Sequence, residues 1–268
     1  MATGEGKGWA KGRSAKDDLR IAKAAAGHRG LTYEQHVPPE LDRRRMSPSV
    51  DTTWTPTLAY AIGLMATDGC VADSDHVSFP SADLELVELF RQCLGKNNTI
   101  SRFITRTGGV AYRVQFGDVK FCRWLATIGI TGRKSLTIAA LEVPDGLILP
   151  LTRGLLDGDG SIMNKTARAD TGGRSDYHWE YLRTKFVSAS RAHVEWLGDK
   201  LRPYAKESGY IEVTRARRGR HEMYALRYGK RASLRLLPLL YADPNAPRLT
   251  RKWRVWDDYR SRHRLPTN

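Results

Sequence analysis

The sequence predicts an α+β protein in which one αββαββα unit occurs twice. A nine-residue phrase is repeated, as AIGLMATDG at 61–69 and TRGLLDGDG at 152–160. The copies share a glycine, a leucine and a final Asp-Gly pair, and their aspartates Asp68 and Asp159 lie 91 residues apart. The same order of helix and strand patterns follows each copy. We therefore expect two copies of one small domain, each with one acid in the same place.

A helix that contains the repeated phrase is predicted to open each half. Thr55 and Pro56 predict the first start, Pro150 predicts the second, and Gly69 and Gly160 predict the two ends. The first half should continue with a hairpin (70–71 with 77–79), a helix from Ser81, a hairpin (100–105 with 112–116) and helices at 118–128 and 131–141. The second should continue with a hairpin (161–167 with 181–188), a helix (191–201), a hairpin (210–217 with 222–228), a helix (231–240) and a last helix after Thr250. The internal matches that set this register are Tyr112 with Tyr224, Ser81 with Ser190, and Lys134 with Lys252.

The charge of the chain indicates a polyanionic partner. The 268 residues carry a formal net charge of +15 with an isoelectric point of about 9.9, and nucleic acid is the commonest partner of such a chain. Residues 1–50 carry 10 basic and 6 acidic side chains, residues 51–150 carry 9 and 10, and residues 151–268 carry 25 and 13. The two halves thus share an architecture but not a surface, and we expect them to read a duplex asymmetrically.

Residues 1–50 are predicted to form a basic N-terminal extension, followed by repeat domains at 51–145 and 146–268. A short helix is expected from Ser14 to Ala26, before the chain is interrupted at Pro38. An additional nucleic-acid-binding arm and a solvated tail fit this segment equally well.

Composition argues against membrane and secreted classes. The sequence contains no apolar run near the roughly 20 residues of a membrane span, and its first fifteen residues contain no apolar signal core. The three cysteines have no paired spacing, which is typical of reduced thiols. We expect a cytoplasmic protein of a bacterial or phage host, or an organellar one, that is not secreted and binds no membrane.

Small residues four apart predict that the two motif helices pack closely. They are Ala59, Gly63 and Thr67 in one helix, and Pro150, Gly154 and Gly158 in the other. Residues at this spacing share one helix face, and small faces let two backbones approach. Asp68 and Asp159 would then meet at the C-terminal ends of the helices, where the helix dipole disfavours carboxylates. A hard divalent cation such as Mg²⁺ would relieve that conflict.

A single Asp-Gly pair is also a common helix end, so one copy of the phrase fits a structural cap as well as a site. Two copies with their acids in register favour the site. A calcium-binding loop starting at Asp157 is excluded, because Ile162 stands in place of its glycine and Arg168 in place of its glutamate.

The two phrases resemble the LAGLIDADG motif, and residues 55–260 resemble a single-chain, two-repeat LAGLIDADG homing endonuclease. The second copy matches well, whereas Ala66 of the first stands where many members have an acid. The resemblance implies two pseudo-symmetric αββαββα domains in one monomer, with paired interface helices and a DNA-binding β-saddle. It implies metal-dependent hydrolysis of both DNA strands at a long asymmetric site.

The resemblance also implies site roles. Asp68 and Asp159 would bind Mg²⁺, for which Mn²⁺ or Ca²⁺ could substitute in binding, with help from the carbonyls of Thr67 and Gly158. Further matches to polar positions of the family's active site are the lysines Lys134 and Lys252, which would polarise water or the phosphate, and the serines Ser81 and Ser190, which would order solvent. An arginine found in the family near the start of the following helix is not reproduced, since Glu85 and Val194 occupy the nearest positions.

Basic side chains on the predicted strands are candidates for DNA contacts. A β-ribbon fits the major groove, where arginine can read guanine, although phosphate contact is the commoner role for any one of them. The candidates are Arg102, Arg106, Arg113, Lys165, Arg168, Arg183, Lys185, Arg215, Arg217 and Arg227.

Two other functions fit the same fold. An RNA maturase would help a host intron to fold, and a regulator would bind DNA without cutting it. Regulators of this kind typically lose the acids that are kept here. A maturase can keep them, so intron RNA stays open as a partner.

Overall fold

The structure, a computed structural model, describes residues 14, 16, 18–27, 48–72, 75–132, 134–168, 178–215 and 221–265. The chain divides into two compact units, Met1–Ser49 and Val50–Asn268. In the first unit, helix α1 (Leu19–Gly27) follows Asp18, whose carboxylate accepts the Arg20 N–H at 2.9 Å. This helix begins later than predicted because Asp18, rather than Ser14, accepts a free N–H of its first turn.

The second unit contains the two predicted halves. The first half consists of α2 (Pro56–Thr67), β1 (Cys70–Ala72), β2 (His76–Ser81), α3 (Leu84–Cys93), β3 (Ser101–Ile104), β4 (Val110–Gly117), α4 (Val119–Thr127) and α5 (Lys134–Thr137). A 3₁₀ turn (Asp145–Leu147) leads into the second half, which consists of α6 (Ile148–Asp157), β5 (Ser161–Arg168), β6 (His178–Ser188), α7 (Arg191–Ala205), β7 (Tyr210–Thr214), β8 (Met223–Tyr228), α8 (Lys230–Leu240) and α9 (Thr250–Arg262). None of the described helices is both long and apolar enough to cross a membrane.

The two halves have the same sheet topology. Each contains a four-stranded antiparallel sheet, with strand orders β1-β2-β4-β3 and β5-β6-β8-β7. The predicted α+β fold is therefore confirmed. Ser81 pairs with Tyr112 in one sheet and Ser188 with Tyr224 in the other. The match of Tyr112 to Tyr224 is confirmed, but the counterpart of Ser81 is Ser188 and not Ser190.

Several helix bounds differ from the prediction, among them the ends of α6 at Asp157 and of α7 at Ala205. Helix α3 begins at Leu84, since the chain after Ser81 first turns through Asp83. Helix α6 begins two residues before Pro150, which lies in its first turn. Proline is tolerated there because N–H groups of the first turn have no acceptor within the helix.

The helix expected at 131–141 is reduced to the single turn of α5. The carbonyls of Ile138 and Ala139 accept hydrogen bonds from Ser190 and His193 of the second half. These two carbonyl groups therefore accept hydrogen bonds from the second half instead of from a further turn of the helix.

Helices α2 and α6 pack backbone to backbone at the centre of the second unit. A Cβ placed on Gly63 would overlap the Leu151 carbonyl oxygen and lie 2.9 Å from the Gly154 Cα. A Cβ placed on Gly154 would overlap the carbonyl oxygen of Tyr60. The close helix packing predicted from the small residues is confirmed, and hydrogen is the largest group that fits at either position.

The contact continues to the C-terminal ends of both helices. A Cβ on Gly158, which caps α6, would overlap the Thr67 hydroxyl, and Thr67 is the last residue of α2. Asp68 and Asp159 directly follow these two residues. The helix contact therefore brings the two repeated acids to one place.

Replacing either contact glycine should destabilise the protein. We expect Gly63→Ala to lower the free energy of unfolding by about 1–3 kcal/mol, because the methyl group has only backbone to displace. Gly146→Ala is the matched control, since no atom lies within 4 Å of its Cβ position. Urea unfolding of both variants measures the difference, and equal stabilities would show that the helices are not in backbone contact.

Candidate functional site

The two repeated acids form an electrostatically strained pair. Asp68 caps the C-terminus of α2, and the Thr67 hydroxyl lies 3.3 Å from its carboxylate. Burial and the neighbouring Asp159 carboxylate raise the pKa of Asp68 from 3.8 to about 6. The Asp159 side chain is open to solvent on one side, yet desolvation by the surrounding protein raises its pKa too. Desolvation thus opposes ionisation of both acids, and the Asp159 carboxylate adds to this effect at Asp68.

Two buried lysines clamp the C-terminal ends of the motif helices. Lys252 Nζ donates to the carbonyl oxygens of Leu156 (2.8 Å), Asp157 (2.7 Å) and Gly158 (2.7 Å). An ammonium has three N–H groups, so all of them are used.

Lys134 makes the corresponding contacts in the first half, donating to the carbonyls of Ala66 (3.1 Å) and Thr67 (2.8 Å). The match of Lys134 to Lys252 is therefore confirmed. A cation at a helix C-terminus also stabilises the helix dipole.

The lysines and the acids stabilise each other's charged forms. Desolvation lowers the pKa of Lys252 from 10.5 to about 8 and lowers that of Lys134, while both acids oppose that shift. In return, the two ammonium groups lower the pKa values of Asp68 and Asp159. In this arrangement the lysines hold the helix ends that carry the acids. Their predicted action on water or phosphate remains a prediction.

A third acid, Asp157, lies fully buried behind the site. Its carboxylate accepts the hydroxyl of Tyr60 at 2.9 Å and the N–H of Leu249 at 2.8 Å. Burial raises its pKa to about 6, while these two hydrogen bonds lower it. The Tyr60 bond crosses from α2 to α6, and the Leu249 bond fixes the start of the helix that carries Lys252. Asp157 therefore ties together three elements around the site.

The predicted serines are turn and cap residues. The Ser81 hydroxyl accepts the N–H of Asp83 at 3.1 Å, and Ser188 accepts that of Ser190 at the same distance. Ser190 is buried and caps α7, accepting the N–H of His193. Their predicted role in ordering solvent remains a prediction.

The exposed face of the second sheet carries four of the predicted basic residues. Successive residues of β6 alternate between the buried Leu182, Thr184 and Phe186 and the outward side chains of Arg183 and Lys185. By strand register Lys165 and Arg227 share that outward face. Arg183 also lies over the ring of Tyr181 at 4.7 Å. This basic face is defined by Lys165, Arg183, Lys185 and Arg227, and Arg227 is also paired with Glu212.

The remaining basic candidates are dispersed. Arg113 lies on the outward face of the first sheet, over Phe103 at 5.2 Å, but Arg102 is opposite Tyr112 and so belongs to the other face. Arg106 and Arg215 are exposed in loops next to strands. The backbone of Arg168 ends β5, but its side chain lies outside the description, as does the whole of Arg217.

Solved structures share this architecture. The I-LtrWI LAGLIDADG homing endonuclease bound to target DNA matches with a TM-score of 0.52 and 10% identity, covering 77% of this chain and 89% of that one. I-SmaMI, a LAGLIDADG homing endonuclease seen bound to uncleaved DNA with calcium ions, matches with a TM-score of 0.50 and 12% identity over 78% and 90%. No family model and no curated protein sequence matches the chain.

This chain has the LAGLIDADG fold. The repeated phrase lies on α2 and α6, as the resemblance implied, and the LAGLIDADG helices form the contact between the two halves. The acid that follows each motif lies at one end of that contact. The predicted fold class is confirmed, and the two sheets share one order of strands.

The LAGLIDADG motif positions offer oxygen donors for a divalent cation. Two carboxylates with raised pKa values are the donor set that a hard cation such as Mg²⁺ prefers, and bound positive charge would relieve their repulsion. The Thr67 and Gly158 carbonyls each already accept an ammonium N–H. A cation on the same oxygens would be opposed by that neighbouring charge. The two carboxylates are therefore the stronger candidates, and the role of the carbonyls remains a prediction.

The polar residues around the LAGLIDADG helices that sequence reasoning missed are Tyr60, Asp157, Glu85, His193 and Thr250. Asp157 belongs to the repeated phrase at 152–160, so its burial could have been predicted from the close packing of the motif helices. The others act through hydrogen bonds to residues more than fifty positions away. Neither their spacing nor their surroundings in the sequence marks them.

The raised pKa of Asp68 predicts a pH-dependent penalty on folding. Between pH 3.8 and about 6, the folded protein keeps a proton that the unfolded chain has released. The free energy of unfolding should therefore fall as pH rises through this window. In metal-free protein, we expect Asp68→Asn to increase the free energy of unfolding at about pH 7 and to leave it nearly unchanged below pH 3.8, as measured by urea titration.

Asp51→Asn is the control for this measurement. The N–H of Thr53 lowers the pKa of Asp51, so removal of that charge should instead weaken folding at neutral pH. An equal gain from Asp68→Asn at both pH values would contradict a strained carboxylate.

Proposed function

We propose that the protein is a site-specific DNA endonuclease that hydrolyses both strands of a long asymmetric duplex with the help of divalent cations. The observation that carries this proposal is the pair of acids, one from each half, at the end of the glycine contact. Two equivalent acids suit a reaction that must be carried out twice, once on each strand. Their raised pKa values also support a functional site, since perturbed pKa values cluster at catalytic and binding sites.

Double-stranded DNA is the proposed partner. The basic face of the second sheet presents Lys165, Arg183 and Lys185 on a ribbon of the shape that enters a major groove. I-LtrWI and I-SmaMI, which share the fold, are both described in complex with DNA. The first sheet offers Arg113 as its counterpart. Unequal charge on the two sheets supports a duplex that is bound asymmetrically.

The proposed chemistry assigns distinct tasks to the chain's own groups. Asp68 and Asp159 would hold the cation, which we propose is Mg²⁺. I-SmaMI, which shares the fold, is described with calcium ions and is a precedent for a divalent cation. The bound ion supplies charge neutralisation at the attacked phosphate and lowers the pKa of a water molecule. Lys134 and Lys252 hold the two acids in place by fixing the helix ends. The basic face holds the duplex by its phosphates and base edges.

The alternatives of an intron-folding protein and a non-cleaving regulator receive less support. A regulator has no use for two strained acids, whose retention weakens folding at neutral pH. In the described part of the chain we find no feature that favours structured RNA over duplex DNA.

Substitution of either acid tests the proposal. A cleavage selection from a randomised DNA library with Mg²⁺ would first identify the target. On that target, Asp68→Asn and Asp159→Asn should each reduce double-strand cleavage by at least about a hundredfold, while the binding constant stays within a few-fold. The control is Asp145→Asn, an exposed acid paired with Lys200. Full-rate cleavage of both strands by either variant would rule out this assignment.

A further inference from the structure

We propose that each half of the protein positions the lysine that clamps the other half's motif helix, through the N-terminus of its own second helix. The residues involved are Asp83, the N-cap of α3, with Glu85 in its first turn, and Ser190, the N-cap of α7, with His193 in its first turn. The proposal rests on the proposed nuclease function for its catalytic consequence, but its structural part stands without it. These four are positioning residues, because they act through Lys134 and Lys252 rather than on the reacting atoms.

The segment that carries Lys252 is held by the first half. Both the N–H of Thr250, at 3.1 Å, and its hydroxyl donate to one carboxylate oxygen of Glu85. The next residue, Arg251, makes a two-armed ion pair with Asp83, with nitrogen–oxygen distances of 2.7 and 3.0 Å. Lys252 follows directly and reaches back to the end of α6. Two consecutive residues before the lysine are thus anchored to α3, across the interface.

The segment that carries Lys134 is held by the second half too, at Ile138 and Ala139, which follow the lysine. The Ser190 hydroxyl donates to the carbonyl of Ile138. The Nδ1 atom of His193 lies 2.8 Å from the carbonyl oxygen of Ala139, which can only accept, so this nitrogen carries the proton. His193 is buried and stacks on Trp196 with ring centroids 5.3 Å apart, which fixes its ring. The anchor is again made across the interface.

The two anchors occupy equivalent positions in the fold. Ser81 corresponds to Ser188 by sheet register, so Asp83 corresponds to Ser190, and these two are the N-cap residues of α3 and α7. The chemistry differs, since one cap pairs with a guanidinium and the other donates to a carbonyl. The N-cap residue of the second helix therefore contacts the other half in both cases, whereas Glu85 and His193 add contacts from positions that are not equivalent.

The identity of Glu85 fits this role. An arginine near this helix start, which the resemblance implies, would repel Arg251 and leave the Thr250 N–H without an acceptor. A carboxylate accepts both Thr250 donors and is favoured in the first turn of a helix. Glu85, which stands where the resemblance implies an arginine, is thus the acceptor that holds the Lys252 segment.

The anchors have half-specific consequences. Lys252 clamps α6, whose end leads to Asp159, and Lys134 clamps α2, whose end carries Asp68. Release of the α3 anchor should therefore disturb the second half's acid, and release of the α7 anchor the first half's acid. A defect that merely weakened folding would disturb both equally.

Lysine labelling of the free protein tests the structural part, without DNA or metal. In Glu85→Ala, we expect acetic anhydride to modify Lys252 about tenfold faster, the change in a local opening equilibrium when two hydrogen bonds are lost, with Lys134 unchanged. His193→Phe, which keeps an aromatic ring but cannot donate, should give the reverse pattern. Glu85→Gln keeps an acceptor oxygen and should restore the slow labelling of Lys252. Glu195→Ala, which removes an exposed acid paired with Arg191 on α7, is the matched control.

Strand-resolved cleavage tests the catalytic part. On a target labelled on both strands, Glu85→Ala should slow one strand and accumulate a nicked intermediate, and His193→Phe should accumulate the opposite nick. Both effects should appear in kcat with little change in KM, and Glu85→Gln should recover cleavage of the slowed strand.

The outcomes separate the inference from the proposed function. Half-specific labelling in a protein that cuts no selected target would support the anchors and overturn the nuclease assignment. Uniform labelling and equal slowing of both strands, in a wild-type protein that cuts its target, would overturn the cross-half positioning while leaving the nuclease assignment intact.

Discussion

The backbone contact between α2 and α6 is the constraint on which the rest of the structure depends. Gly63 and Gly154 face each other across it, and neither position has room for a methyl group. Because the axes approach so closely, the ends of both helices coincide, with Gly158 against Thr67. The two acids are adjacent for that steric reason and not because they attract each other. Each half repeats one sheet topology after its own motif helix.

The contact creates an electrostatic problem that several other residues answer. Two carboxylates at two helix C-termini are unfavourable. Desolvation raises the pKa values of Asp68 and Asp159, and the Asp159 carboxylate adds to the shift at Asp68. Lys134 and Lys252 oppose it by bringing positive charge to the last carbonyls of both helices. Burying these lysines has its own desolvation cost, which their lowered pKa values record, and their segments need anchors. Asp157, Glu85 and His193 supply those anchors.

Local sequence patterns are enough to predict the helices, the strands and the contact of the motif helices. They do not predict the hydrogen bonds that join the two halves. The four-residue spacing of small residues is enough to predict the contact at Gly63, because one helix face is read from one short segment. The pairing of Lys134 with Lys252 followed from internal similarity, but their hydrogen bonds depend on how the chain closes on itself. Serines occur at both Ser188 and Ser190, and only strand register shows that Ser188 is the counterpart of Ser81. The bond between Glu85 and Thr250 joins residues 165 positions apart, so no local pattern could reveal it.

The central claim is that the glycine contact forces the two acids to share one place, and a carboxyl titration tests it most directly. The pKa of Asp68 would be measured by NMR in metal-free wild-type protein and in Asp159→Asn. We expect about 6 in the wild type and a lower value in the variant, because the neighbouring carboxylate contributes to the shift. An Asp68 pKa that does not change on removal of Asp159 would show that the acids are not neighbours and would contradict the account.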